Sequence, residues 1–283
     1  PSFTNQATLS YRGNVTISNI VTGELVAVLS ATKTALSERY GADDILTYVI
    51  SIVNSGPAPY TGLTMTDDLG AYTYGTGTLT PLTYVDGSLR YFVNGVLQAT
   101  PTPTADAPLT VPGIAVPAGG NALMIYETRV NSFAPLDTES TVTNTATLSG
   151  AGLTTPVQAA STVNARAAAY LTIGKAVSPA TVAENGTLTY TFTIQNYGNT
   201  AAAETDNVTV SDTFSPILKA ISVTYNGVAW TEGTQYTYNA ATGAFATTAG
   251  QITVPAASLT RDAATGAVVV TPGISTLTVT GTV

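Results

Sequence analysis

The chain holds three lysines, Lys33, Lys175 and Lys219. The first two stand at matched places in an internal repeat. Ser30-Ala31-Thr32-Lys33 matches Thr172-Ile173-Gly174-Lys175, and the run Leu46 to Gly56 matches Leu188 to Gly198, both at an offset of 142 (175 − 33 and 188 − 46). Side chains alternate faces along a strand. Leu29, Ala31 and Lys33 therefore share a face, as do Leu171, Ile173 and Lys175, and the apolar neighbours make it the core face. The same alternation groups Asp67 with Leu63 and Met65, and Asp212 with Val208 and Val210. It groups Asn144 with Val142, Ala146 and Leu148, and Glu127 with Leu123 and Ile125. One lysine, one acid and one asparagine are thus expected to converge in a core.

That triad can do chemistry without an enzyme. Burial lowers a lysine's pKa and raises a carboxyl's. A neutral amine is a nucleophile, and a protonated acid can hydrogen-bond the asparagine carbonyl as it gains charge. Fixed proximity in a folded core replaces encounter. The product is a Lys–Asn amide with loss of ammonia. The pairs expected are Lys33 with Asn144, assisted by Asp67 or Glu127, and Lys175 with Asn5 of another molecule, assisted by Asp212. The same residues also suit a non-covalent buried polar cluster, because paired Lys and Asp occur without covalent chemistry.

The elements that must hold these residues read as strands. Short segments alternate apolar and polar residues, are rich in Val, Ile, Thr and Tyr, and are separated by Gly, Pro, Asn and Asp. Asn94-Gly95 and Asn226-Gly227 sit between such runs, as two-residue hairpin turns with positive φ require. The fold expected is all-β: two tandem immunoglobulin-like β-sandwiches plus an extended N-terminal strand. The boundaries read as 1–24 for a donor strand and connector, 25–149 for the first sandwich, 150–169 for a linker and 170–283 for the second sandwich.

The second unit lacks a counterpart to the first unit's closing strand, Thr141 to Ser149. That counterpart lies at the other terminus, where Ser2-Phe3-Thr4-Asn5-Gln6-Ala7-Thr8-Leu9-Ser10 aligns at an offset of 139 (144 − 5 and 148 − 9). Phe3, Asn5, Ala7 and Leu9 share one face, in phase with Val142, Asn144, Ala146 and Leu148. The segment is a candidate donor strand for a neighbouring molecule's second sandwich. Closure within one chain looks strained, since a connector of roughly 14 residues spans at most about 50 Å.

These motifs resemble the conserved-repeat family, formerly of unknown function, of bacterial and archaeal surface proteins. The resemblance is carried by the first-strand Thr32-Lys33 and Gly174-Lys175, the Thr189-to-Asn196 strand, the Val210-Ser211-Asp212-Thr213 stretch and the closing Thr143-Asn144-Thr145-Ala146. Thr66-Asp67-Asp68 departs from Ser211-Asp212-Thr213. The resemblance implies tandem sandwiches on a cell envelope, stalk or fibre. The triad is also similar to that of self-crosslinked sandwiches in Gram-positive pili and adhesins.

Composition narrows the functional classes. With net charge −8 and only nine basic residues, the chain is a poor partner for a phosphate backbone, so no nucleic acid is expected. It has no Cys, so disulfides are not its stabilising device, and no His, which removes the commonest general base and the commonest transition-metal ligand. No catalytic residue, metal or cofactor is assigned, and the chain does not read as an enzyme. No run of 18 apolar residues suggests a membrane helix. The expectation is an extracellular or cell-surface filament subunit whose partners are identical subunits in a head-to-tail polymer. The alternative is a two-repeat segment of a long adhesin or stalk.

Overall fold

The computed structural model describes residues 2–150 and 152–283. Among the described residues the only helical element is a single 3-10 turn, Glu204–Asp206, and no helix is long and apolar enough to cross a membrane. The all-β expectation holds, and the strands gather into an N-terminal arm and two sandwich bodies.

The arm contains β1 (Ser2–Asn5), β2 (Thr8–Tyr11), β3 (Asn14–Ile17) and β4 (Val21–Glu24). β1 pairs with β4 and β2 with β3, all antiparallel. The arm is thus one two-stranded ribbon that reverses at Arg12-Gly13, both at positive φ. Residues 14–24, expected as a connector, are its return strand. Their Val, Thr and Ile content suits pairing.

The first body contains β5 (Leu29–Ala35), β6 (Ile45–Asn54), β7 (Tyr60–Asp67), β8 (Arg90–Val93), β9 (Val96–Leu97), β10 (Leu109–Val116), β11 (Asn121–Val130), β12 (Thr141–Ser149) and β13 (Val157–Ala165). One sheet runs β9-β8-β11-β6-β5. The facing sheet includes β10-β7-β12-β13 in that order. β6 shows why the sequence folds so: Leu46, Tyr48, Ile50 and Ile52 alternate inward and are buried, while their neighbours face out. β13 corrects the expected linker 150–169. Its small residues Ala159, Val163 and Ala165 are the buried phase, and it pairs with β12 from Thr141 to Leu148.

The second body contains β14 (Leu171–Ser178), β15 (Thr187–Asn196), β16 (Ser211–Thr213), β17 (Lys219–Tyr225), β18 (Val228–Trp230), β19 (Tyr236–Asn239), β20 (Ala244–Thr247) and β21 (Gly273–Thr282). Its main sheet, β14-β15-β21-β17-β18, repeats the order β5-β6-β11-β8-β9 of the first body. Both Asn-Gly turns adopt the expected positive φ, Asn94 and Gly95 joining β8 to β9, Asn226 and Gly227 joining β17 to β18.

The repeat extends to side-chain bonds. Buried Asn54 donates from Nδ2 to the carbonyls of Ala58 (2.8 Å) and Pro117 (2.9 Å), and accepts from Gly56 N (3.0 Å). Asn196 donates to Thr200 (2.8 Å) and Pro255 (3.0 Å), and accepts from Gly198 N (2.9 Å). Each asparagine ties its strand end to two loops whose backbone would otherwise be unpaired.

The second sheet is where the bodies differ. In the first, β7 is flanked by β10 and β12. In the second, the counterpart of β7 is the stretch 202–213. Ala202 bridges Val254 and β16 pairs with β20. Along its other side no strand pairs with it among the described residues. Most of this stretch is not strand at all, as expected for an edge without a neighbour.

Candidate functional site

Three elements converge on the lysine of the first body. β5 brings Lys33, β7 brings Asp67 and β12 brings Asn144. Lys33 Nζ lies 2.5 Å from Asp67 Oδ2, and both side chains are fully buried. Register places Asn144 beside them: Ala146 is directly opposite Asp67, and Asn144 is two residues along on the same buried face. Asp68 fixes this alignment from outside the core. Its backbone N donates to the Thr145 carbonyl (3.0 Å), and its Oδ1 accepts from Thr145 N (2.9 Å).

Two tyrosines complete the chamber. Tyr48 on β6 and Tyr126 on β11 are directly opposite one another, their rings stacked 5.9 Å apart. Lys33 Nζ lies 4.8 Å from the Tyr48 ring centroid, a distance at which ring and ammonium attract. The Tyr126 hydroxyl donates to Asp67 Oδ2, and Asp67 Oδ1 accepts from Leu69 N at 3.0 Å. Burial lowers the Lys33 pKa, opposed by the adjacent Asp67. Burial, followed by the Asp67 charge, raises the hydroxyl pKa of both Tyr48 and Tyr126.

The Asn144 amide lies beside the Tyr48 and Tyr126 hydroxyls without a well-aligned bond to either. Both amide atoms of Asn144 and the Tyr48 hydroxyl are buried without a hydrogen-bond partner among the described residues. Each group left so would cost about 1–3 kcal/mol, and an orphan in a native core points to strain, a bound water or ion, or chemistry. Transfer of a proton from Lys33 to Asp67 would leave a neutral amine next to an amide free to react. Attack on the Asn144 carbonyl carbon would form one C–N bond and break another, with Nδ2 leaving as ammonia. That step removes a buried cation and an orphan donor together.

Glu127 takes no part. The core phase of β11 is Ala122, Met124, Tyr126, Thr128 and Val130, so Leu123, Ile125 and Glu127 lie on the other face. The expectation read the more hydrophobic phase as inward. In fact Leu123 and Ile125 are only half-buried. The acid's companion is instead Tyr126, which sequence reasoning missed. Tyr48 was visible within the repeated strand, in phase with Leu46 and Ile50.

In the second body, Lys175 also meets its acid, Asp212. Its Nζ lies 4.4 Å from the Tyr190 ring centroid, where Tyr190 matches Tyr48. But the Lys175 side chain is 42% exposed where that of Lys33 is 0%. Its strand neighbours Ile173 and Val177 are 57% and 42% exposed, whereas their counterparts Ala31 and Ala35 pack on the first core. Among the described residues no strand gives Lys175 the cover that β12 and β13 give Lys33. Asn5 is far from filling that place in its own chain, since it is exposed in the arm, opposite Val21. Phe3 and Leu9 are 56% and 64% exposed, and Ala7 is exposed between them.

No family model matches the chain, so the resemblance to the conserved-repeat family rests on its quoted motifs, and no curated protein matches either. Among solved structures, the pilus backbone RrgB of Streptococcus pneumoniae is similar at 10% identity and a TM-score of 0.36, over 87% of this chain and 55% of that one. The chain thus spans about half of that structure. The collagen-binding subdomain of the Enterococcus faecalis surface protein ACE matches at 8% identity and 0.32, over 50% of this chain and 99% of that one. A family 123 glycoside hydrolase from Clostridium perfringens matches at 8% and 0.32, over 49% and 27%. Sandwiches host unrelated functions, so function is argued from the site.

Proposed function

We propose that the protein is a structural subunit of an extracellular filament, joined head to tail by its N-terminal arm. The observation that carries this reading is one mismatch. Among the described residues nothing pairs with one side of the 202–213 stretch or covers Lys175, while the arm presents the matching sequence, exposed and paired along one edge only. Unpaired edges and apolar faces invite an added strand. Phe3, Ala7 and Leu9 would occupy the places that Val142, Ala146 and Leu148 fill in the first body, and Asn5 would meet Lys175 and Asp212. A contact between unlike surfaces that does not close on itself makes an open fibre.

The lysine sites would lock this fibre: Lys33 with Asn144 within each subunit, and Lys175 with Asn5 between subunits. Purified protein should form filaments by electron microscopy. Leu9→Asp, which places a charge where an apolar side chain must be buried, should leave folded monomers because Leu9 is exposed in the free chain. Filaments of normal length from Leu9→Asp would refute the arm's role. The covalent lock is read separately, as polymers that persist in hot detergent and disappear with Asn5→Ala.

A further inference from the structure

The arm is two strands wide, and so is the cover of the first body that has no equivalent in the second among the described residues. In the first body β12 does not stand alone: it reverses after Gly150 and returns as β13. The arm has the same plan, with β1 and β2 in the place of β12, and β3 and β4 in the place of β13. Pairing relates them residue by residue. Asn144 is opposite Ser161, and its counterpart Asn5 is opposite Val21. Leu148 is opposite Val157, and Leu9 is opposite Thr16. The arm differs by a bulge, where Ser18 accepts from Ala7 N through Oγ (2.9 Å) and donates from its own N to the Ala7 carbonyl (2.8 Å).

Chain order repeats too. β13 ends at Ala165 and leads through a short link into β14 at Leu171, while β4 ends at Glu24 and leads through a similar link into β5 at Leu29. The links enter their bodies by one hydrogen bond: Ser55 N donates to the Val28 carbonyl (2.9 Å), and Tyr197 N to the Tyr170 carbonyl (2.8 Å). The chain is therefore hairpin, body, hairpin, body. The inner hairpin completes the body that precedes it.

Resting on the donor reading above, we propose that the donated unit is the whole hairpin, and that β3 and β4 form part of the joint between copies of this chain. β13 shows what the return strand does. It lies beside β5 and closes that edge of the sandwich, with Ala35 N donating to Ser161 Oγ at 3.0 Å. The counterpart of Ser161 is Val21 and that of Ala35 is Val177 (177 − 35 = 142). Both valines are exposed in the free chain, at 56% and 42%. The joint replaces a polar contact by an apolar one and covers the strand that carries Lys175.

The chain has no cysteine, so disulfide trapping in the full chain reads the two strands separately. Thr147 lies directly opposite Thr66 in the first body, which makes Thr8 and Ser211 the matching pair between molecules. Opposed residues at this spacing can form a disulfide. Thr8→Cys with Ser211→Cys reports the donor strand, and Val21→Cys with Val177→Cys reports the return strand. Mild oxidation should give a reducible ladder of oligomers with both pairs, and none with the misaligned pair Val15→Cys and Val177→Cys. A ladder from the first pair alone would overturn the hairpin while leaving strand donation intact. No ladder from either pair would overturn both. An equal ladder from the misaligned pair would overturn the register.

Discussion

The two repeated lysines are a comparison made within one molecule. Each meets an aspartate and an aromatic ring, yet Lys33 is fully buried and Lys175 is 42% exposed. Their contributions must differ accordingly. Lys33→Met leaves Asp67 buried without its cation, and breaking such a pair costs about 3–5 kcal/mol. Lys175→Met in the free chain should cost no more than about 1 kcal/mol, because water screens an exposed pair. Denaturant midpoints of the two variants check the contrast. Intact mass gives the chemical reading: the folded protein should be lighter by one ammonia than its sequence, and Asn144→Ala should abolish that deficit. The sign of a pH effect follows from the tyrosines. Burial raises the pKa of Tyr40, Tyr48, Tyr126 and Tyr236, so the unfolded chain releases those protons first, near pH 10. Their stabilisation is present below that pH and is lost as pH rises past it. Lys33, wherever its amine is free, has a lowered pKa and acts in the opposite direction, but is one group against four. Stability should fall between pH 9 and 11, with a shallower fall in Tyr48→Phe.

At the scale of elements, the Asn54 and Asn196 ties set the strand ends of both bodies. Alanine at position 54 removes the partner of the Ala58, Val116 and Pro117 carbonyls and of Gly56 N, and alanine at 196 that of the Thr200 and Pro255 carbonyls and of Tyr170 N and Gly198 N. At about 1–3 kcal/mol for a buried unsatisfied group, Asn54→Ala should lower the melting transition of the first body and Asn196→Ala that of the second. Calorimetry resolving two transitions would check the assignment. The same scale explains what the sequence made legible. Alternation located β5, β6, β7, β12 and β15, because each has one face against a core. The Asn-Gly pairs located two hairpins, because few other residues accept two consecutive positive φ values. β13 was read as a linker because its buried face is Ala159, Val163 and Ala165, small residues that carry little hydrophobic signal. Glu127 was placed inward because β11 keeps larger aliphatic residues on its outer face than alternation anticipates. The return strand of the arm was read as connector because no core contact in this chain marks either of its faces.

For the molecule as a whole, the question is what covers Lys175 when copies meet. Of the three lysines, Lys33 has no exposed side-chain surface, Lys175 is partly open and Lys219 is exposed. An amine-reactive reagent applied to the monomer should therefore label Lys175 and Lys219 and spare Lys33. If a donated hairpin fills the second body as β12 and β13 fill the first, Lys175 should acquire the environment of Lys33. Assembled protein should then be labelled at Lys219 alone. Protection should appear in step with polymer length and vanish in Leu9→Asp, whose monomers keep Lys175 open. Peptide mapping by mass spectrometry reads all three sites in one digest, with Lys219 as the internal control. Labelling of Lys175 to the same extent in polymer and monomer would mean that the copies join at some other surface, whatever the arm's sequence suggests.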